Sequence, residues 1–265
     1  MTDSIRVLQI TDFHLLESEV TALKGFYPEQ RLDAVLASIR SGQSVVTAYH
    51  HLLLTGDLAQ DAKHSVYQRI LDKTVGLAQR RHWLAGNHDD TQVMSQFSEM
   101  QQKVVLDANW AIVLLDSTSN PNGVGSGSLS TAELALLASV DQLDVDHVLV
   151  ALHHPPVNVG SVWQDEIKLA NAEQFWQVLD KLHKVRAVTF GHLHQDHHII
   201  EQRAGKKIEL FATPASAPQF KKQQLKPILE DDPLLALPAF REFELFANGQ
   251  VSSVVHRVSV TAESV

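Results

Sequence analysis

The stretch FGHLHQDHH, Phe190 to His198, sets four histidines and one aspartate within nine residues, and two metal-binding patterns run through it. Read as G-H-x-H, it contributes the pair His192 and His194. Read as H-x-H-x-D-H, it also recruits Asp196 and His197. The two patterns need different partners elsewhere in the chain, so the remaining residues decide between them and decide the fold.

The longer pattern is the signature of metallo-β-lactamase-type hydrolases, which draw a further His, Asp and His from later strands. Only His256 remains after His198, in a run with the character of a terminal strand. The shorter pattern needs its partners upstream, and there they are plentiful. Five polar clusters each follow a short apolar run: QITDFH (Asp12, His14), LLTGD (Asp57), LAGNHD (Asn87, His88, Asp89), ALHHPP (His153, His154) and FGHLH (His192, His194). Ligands gather at such places, beyond the ends of strands in α/β sheets. Residues two apart on an extended chain leave the same face, so Asp12 with His14, and His192 with His194, are expected to converge. Asp57 offers two carboxylate oxygens and Asn87 a neutral one. The prolines after His154 hold that segment extended. A lone D-x-H or G-D is more often a turn or a cap than a ligand, but five such clusters in order, each closing an apolar run, are not explained that way. The remaining histidines His50, His51, His64, His82, His147, His183 and His256 lack this context and read as surface or structural residues.

Strands are expected at Arg6 to Ile10, His51 to Leu54, His82 to Leu84, Trp110 to Leu115, His147 to Leu152 and Ala187 to Phe190. Amphipathic helices are expected in PEQRLDAVLASIR, KHSVYQRILDKTVGLAQ, STAELALLASV and NAEQFWQVLDKLH, with start signals at Pro28 and Ser130. After Gly191 the pattern turns to hairpins: HHIIEQ, KKIELFAT, AFREFELF and VSSVVHRVSV, joined by AGKK and ANGQ. The chain therefore starts as α/β and ends as antiparallel β, and residues 1–265 read as one domain with loops at Asp116 to Ser128 and Gln223 to Pro238.

The composition agrees with such an enzyme-sized domain. The 265 residues are 44% hydrophobic and 20% charged, with no apolar run near the ~20 residues of a membrane helix. Because the first strand leads straight into Asp12 and His14, a cleaved leader would remove part of the site, and a cytoplasmic location is expected. Cysteine is absent, which excludes disulfides and thiolate metal sites and leaves nitrogen and oxygen donors. A formal charge of -9 argues against broad nucleic-acid or anionic-membrane binding. An anionic substrate is still accommodated if metal ions supply local positive charge.

The ordered series D-x-H, G-D, G-N-H-D, H-x-P, G-H-x-H resembles the calcineurin-like metallophosphoesterase superfamily over about residues 5 to 200. Within it, QITDFHLL, TGDLAQD, WLAGNHD, LHHPP, FGHLHQD and FATPASAPQFK, with LANAEQF at Leu169 to Phe175, resemble the bacterial class III cyclic-nucleotide phosphodiesterases along nearly the whole chain. The resemblance implies a four-layer αββα sandwich, two mixed sheets flanked by helices, with a dinuclear centre between the C-terminal edges of the strands. It implies one metal on Asp12, His14, Asp57 and His194, a second on Asp57, Asn87, His153 and His192, and Asp57 as the bridge. His88 would lie beside the phosphate without binding metal. His14, Asp57, Asn87, His88 and His194 would together surround the phosphate.

Two cations about 3.5 to 4 Å apart can lower the pKa of a shared water, supply a bridging hydroxide near neutral pH and neutralise charge developing on phosphorus. In-line attack on 3',5'-cyclic AMP to give 5'-AMP is the expected reaction. His88 is the expected catalytic acid or charge stabiliser, and Asp89 is expected to orient its ring. Nitrogen and oxygen ligands suit iron, manganese, zinc or cobalt, and the resemblance favours iron or manganese. The same centre also serves other small diesters, such as glycerophosphodiesters, or nucleotide pyrophosphates. A non-catalytic metal or nucleotide-binding domain is a further reading, whose mark would be a lost ligand or lost His88; neither is lost here. Phe13 between two candidate ligands, and the glycine-rich loop at Asn120 to Ser128, depart from the pattern of relatives and bear on substrate access. Trp163 and Phe220 are candidates to stack on a purine, with core packing or a dimer contact as the alternative. The oligomeric state, monomer or homodimer, is not legible.

Overall fold

The computed structural model describes residues 4–42 and 49–260. Its strands are β1 (Ser4–Ile10), β2 (Tyr49–Thr55), β3 (Ala78–Leu84), β4 (Val104–Asp107), β5 (Trp110–Leu114), β6 (His147–Ala151), β7 (Val185–Phe190), β8 (His197–Arg203), β9 (Lys206–Ala212), β10 (Ala239–Phe246) and β11 (Val251–Arg257). Its α-helices are α1 (Pro28–Gly42), α2 (His64–Thr74), α3 (Thr91–Met94), α4 (Thr131–Ala138), α5 (Val162–Asp165) and α6 (Ala172–Leu179). Among the described residues no helix is long and apolar enough to cross a membrane.

Two mixed sheets form, in the orders β11-β10-β1-β2-β3 and β4-β5-β6-β7-β9-β8. Both are buried on two faces, which explains why their central strands read as nearly continuous apolar runs. In β1, Leu8 and Ile10 join the core under α1 and α2, together with Leu32, Leu36, Tyr67 and Ile70. The alternate residues Ile5 and Val7 face the other way and meet Trp110, Ile112, Ala187 and Phe211 of the second sheet. That sheet's outer face, with Val113, Val150, Val188 and Leu210, packs against Leu137 of α4 and Phe175 and Leu179 of α6. Three cores between four layers make the expected αββα sandwich.

One polar cluster interrupts the inter-sheet core and locks the sheets in register. Gln9 of β1 donates to Thr55 Oγ1 at 2.7 Å, and its Oε1 accepts from Thr189 and Thr213 hydroxyls of the opposite sheet at 2.6 Å each. Each polar atom finds a partner, so burial does not leave it uncompensated. His51 and His82, both buried, are satisfied as expected: His82 Nε2 lies 3.1 Å from His51 Nδ1, whose ring reaches Asp107 of β4 at 2.9 Å.

The structure corrects several boundaries. The second helix stops at Thr74 rather than running to Gln79, because Val75 leaves helical geometry and Ala78 enters β3 as the partner of Tyr49. Strand β4, only four residues long with one of them buried, is too short to announce itself and is an edge strand paired antiparallel with β5. Ser130 caps α4 through Oγ, which accepts the Glu133 N–H at 3.2 Å. The two C-terminal hairpins separate: β10–β11 returns to the first sheet antiparallel to β1, whereas β9 lies parallel to β7 in the second.

Candidate metal centre

Strands β1, β2 and β3 run parallel, as do β6 and β7 in the facing sheet, so the segments following their C-termini meet at one end of the sandwich. Asp12 and His14 follow β1, Asp57 follows β2, Asn87 and His88 follow β3, His153 follows β6, and His192 and His194 follow β7. All seven candidate ligands are thereby brought together, six of them buried.

The backbone achieves this differently from the extended chain expected. Asp12, His14, Asp57, His192 and His194 all hold left-handed conformations, with φ of 55°, 51°, 50°, 68° and 52°. Alternating such residues curls the chain so that amides as well as side chains point inward: the His192 N–H reaches both oxygens of Asp12 at 3.1 Å, and the His88 N–H reaches Asp57 Oδ1 at 2.9 Å. Gly86 shows how tightly the turns approach, since a Cβ there would collide with the Asp57 carboxylate and stand 2.8 Å from the His153 ring.

Hydrogen bonds on the far side of each ring assign the near-side lone pairs. A carbonyl only accepts, so His194 donates Nδ1–H to Pro218 O at 2.6 Å and His153 donates Nδ1–H to Thr55 O at 2.9 Å. His14 uses Nδ1 toward Gln60 Oε1 at 3.2 Å. Their Nε2 atoms then face other acceptors. His194 Nε2 lies 3.2 Å from His14 Nε2 and 3.4 Å from Asp12 Oδ1. His153 Nε2 lies 3.2 Å from Asn87 Oδ1, 3.2 Å from His192 Nδ1 and 3.5 Å from Asp57 Oδ1. Asp57 Oδ2 points to the other group, 3.7 Å from His14 Nε2.

Acceptors converging on acceptors are unfavourable unless something positive lies between them. Nitrogen and oxygen ligands bind such ions at about 2.0–2.2 Å, which sets neighbouring donor atoms roughly 3.0–3.5 Å apart. All but the 3.7 Å between Asp57 Oδ2 and His14 Nε2 fall within that spacing, and among the described residues the buried His192 Nε2 has no hydrogen-bond partner. The donor set therefore fits two cations, one near Asp12, His14 and His194 and one near Asp57, His153 and Asn87.

Electrostatics point the same way. Burial alone would lower the His153 pKa, yet Asp57 and Asp12 lift it to about 9, so a proton is held where a cation would be. Burial likewise opposes charge on His194, and Asp12 raises it. Burial holds His14 down to about 4 and His192 well below its usual range, keeping their lone pairs free. Asp57 is well below the usual carboxylate range despite burial, because His153, His14 and His88 favour its charge.

His88 stands apart. It is exposed, its ring lies edge-on to His14 with centroids 4.9 Å apart, and no described group is hydrogen-bonded to its ring nitrogens. Asp89 does not orient it, contrary to expectation. Its carboxylate accepts the N–H groups of Gly86 at 2.9 Å, Ala59 at 3.0 Å and Leu58 at 3.2 Å, and the Tyr67 hydroxyl at 3.0 Å. It stitches the Asp57 turn to the Asn87 turn. Burial, then the Asp57 charge, raises its pKa to about 6.

The rest of the opening stretch leaves the centre. Asp196 pairs with Arg241 at 2.5 Å, His197 with Gln195 at 2.8 Å and His198 with Glu209 at 2.8 Å. Phe13 is fully buried in the core beneath α1 and α2, so it does not affect access.

Above the centre opens a cavity of about 630 Å³ lined by His14, Asp57, Asn87, His88, His192 and His194. Both unexplained loops border it, the first through Pro121 to Ser126 and the second through Pro227 and Leu229. Trp163 and Phe220 line it as well, their ring centroids 5.0 Å apart and their planes inclined at 73°, with Phe220 5.2 Å from the His194 ring.

The calcineurin-like phosphoesterase family model matches residues 5–196, which contain every candidate ligand. The chain belongs to this family. It is a metallophosphoesterase, and its buried His and Asp clusters are consistent with two metal ions. Among curated relatives, it is 35% identical over 264 residues to the 3',5'-cyclic adenosine monophosphate phosphodiesterase CpdA of Vibrio vulnificus, covering 97% of this chain and 91% of that protein. It is 33% identical to the CpdA of Escherichia coli K12, covering 97% and 91%. It is 30% identical to a 3',5'-cyclic-nucleotide phosphodiesterase of Nostoc, covering 96% and 92%. Among solved structures, a dimetal phosphatase from Danio rerio superposes with a TM-score of 0.62 at 14% identity, covering 96% of this chain and 99% of that one. The calcineurin-like phosphoesterase YfkN of Bacillus subtilis gives 0.54 at 10% identity, covering 98% and 92%. At such identities these two show the fold alone.

Proposed function

We propose that the protein is a metal-dependent phosphodiesterase that hydrolyses 3',5'-cyclic AMP to 5'-AMP. The observation that carries this reading is the convergence of seven nitrogen and oxygen donors, five of which (His14, Asp57, Asn87, His192 and His194) line a cavity also bordered by Trp163, Ile167, Phe220 and Leu229. A phosphodiester belongs beside such donors, and a flat neutral base belongs against such a border. The relatives named for cyclic-nucleotide hydrolysis span nearly the whole chain and support the choice of substrate.

Asp12, His14, Asp57 and His194 would hold one cation and Asp57, Asn87, His153 and His192 the other, iron or manganese by the family likeness. Bound there, such ions would activate water as a nucleophile and neutralise charge on the phosphoryl oxygens. Asp57 suits the bridging place because its two oxygens address the two groups separately. The His88 ring, exposed at the cavity and hydrogen-bonded to none of the described residues, would protonate the departing 3' oxygen. Water adds to phosphorus, the bond to the 3' oxygen breaks, that oxygen takes a proton, and a 5' monoester remains.

The test is hydrolysis of 3',5'-cyclic AMP, bis-p-nitrophenyl phosphate and p-nitrophenyl phosphate by manganese- or iron-loaded protein, beside a chelated control. Cleavage of the two diesters and its loss on chelation are expected. Cleavage of the monoester alone would overturn the cyclic-nucleotide reading, and activity surviving thorough chelation would overturn the metal mechanism.

A further inference from the structure

His154, beside the candidate ligand His153, is fully buried and packs its ring against His153 at 5.0 Å and His192 at 4.8 Å. It lies close enough to both for the three to hold an ion. Its nitrogens are nonetheless committed elsewhere. Nε2–H donates to the carbonyl of Gly125 at 3.1 Å, which leaves Nδ1 to accept the Ser117 hydroxyl at 2.8 Å. Ser117 Oγ in turn accepts the His154 backbone N–H at 3.2 Å. No lone pair remains for a metal.

What His154 does hold is one wall of the cavity. Gly125 lies within Pro121 to Ser126, the part of the glycine-rich loop that borders the cavity, and it sits beside Ile167, whose side chain a Cβ on Gly125 would meet at 3.7 Å. The loop is braced internally: Ser119 and Ser128 pair, and Asn122 Oδ1 accepts the amides of Val124 and Ser126 at 3.0 and 2.9 Å. The bond from His154 joins this braced unit to the histidines of the metal centre. The fit is close, since a Cβ on Gly127 would collide with the Ser117 carbonyl and stand 2.9 Å from His154 Cε1.

We propose that His154 is a positioning residue that ties the 121–126 wall to the metal-ligating histidines and thereby sets the affinity for the organic part of the substrate. The tie stands on the geometry, whereas the consequence for affinity rests on the cyclic AMP reading above.

His154→Leu removes both hydrogen bonds while keeping an apolar side chain, and His154→Gln returns a donor. Hydrogen–deuterium exchange of amides 119–128, in chelated and manganese-loaded protein, reads the tie directly. Exchange about tenfold faster in His154→Leu and nearly restored in His154→Gln is expected, the range one buried hydrogen bond spans. The KM for 3',5'-cyclic AMP should rise by a similar factor, with kcat falling less than about threefold. Unchanged exchange in a folded His154→Leu protein would overturn the tie. Equal loss of turnover on cyclic AMP and bis-p-nitrophenyl phosphate, together with loss of metal, would place His154 in the metal centre and overturn the proposal as well. Should His154→Leu fail to fold, Ser117→Ala loosens the same ring, and faster exchange at 119–128 is again expected, with unchanged exchange refuting the tie. A wild-type protein that cleaves bis-p-nitrophenyl phosphate but not cyclic AMP would defeat the substrate reading while the exchange result still decides the tie.

Discussion

His194 donates Nδ1–H to the carbonyl of Pro218 at 2.6 Å, and this bond turns its Nε2 toward Asp12, 3.4 Å away. A ring fixed on one side by the backbone presents a lone pair on the other without paying rotamer entropy when an ion arrives. His194→Ala is therefore expected to lower the metal content of the purified protein, read by elemental analysis, and to reduce diester turnover by at least about a hundredfold. Three residues on, His197→Ala should retain wild-type metal content, because that ring bonds to Gln195 outside the centre.

Asp89 satisfies three backbone amides and the Tyr67 hydroxyl at once. Asp89→Ala strands those donors in a buried place and should reduce unfolding free energy by about 3 kcal/mol, measured by urea denaturation. Asp89→Asn, which keeps an acceptor oxygen, should lose about half as much. An Asp89→Ala protein as stable as wild type would show that these bonds are idle.

Phe220 lies between Trp163 and the His194 ring. Stacking of a base on an aromatic side chain contributes about 1–3 kcal/mol, so Phe220→Ala should raise the KM for cyclic AMP by roughly tenfold while Phe220→Tyr stays near wild type. Steady-state kinetics with an unaltered KM in the alanine variant would remove Phe220 from base recognition.

Burial, with His51 and Arg80 adding to it, holds His82 down to about 4, against 6.5 for an unperturbed histidine. The folded protein thus binds fewer protons than the unfolded chain between these values, and stability falls as pH falls. The contribution is complete above about pH 6.5 and is lost progressively toward pH 4, amounting to about 2 kcal/mol at pH 5. In His82→Gln the decline in thermal midpoint from pH 8 to pH 5 should be visibly smaller, as followed by calorimetry.

The strands around the centre were legible because both sheets are covered on two faces, which makes β1, β2, β6 and β7 mostly apolar and the polar clusters beyond their ends conspicuous. Strand β4, at an edge with one buried residue, carried no such contrast. Spacing told that Asp12 and His14 converge, but not how. The left-handed turns that bring them together are enforced by bonds to Gly56 and Asp57 on the neighbouring strand end. The motif G-N-H-D, with Asp89 next to His88, hinted at Asp89 as a partner for His88, yet the carboxylate found stronger claims in amides that no side-chain pattern displays. His154 was visible only as the second half of a histidine pair, because its partners Ser117 and Gly125 lie far away in the chain.

Left-handed φ angles at Asp12, His14, Asp57, His192 and His194 disfavour each of these residues by roughly 1 kcal/mol relative to glycine. Reactivity and robustness are therefore in direct conflict at these positions, since the side chains the chemistry requires are ones the backbone would rather lack. An engineer seeking a durable, inert carrier from this scaffold would begin by exchanging His192, whose Nε2 already lacks a hydrogen-bond partner among the described residues, for glycine, and any gain in durability there would be a measure of what natural selection gave up to keep a working enzyme.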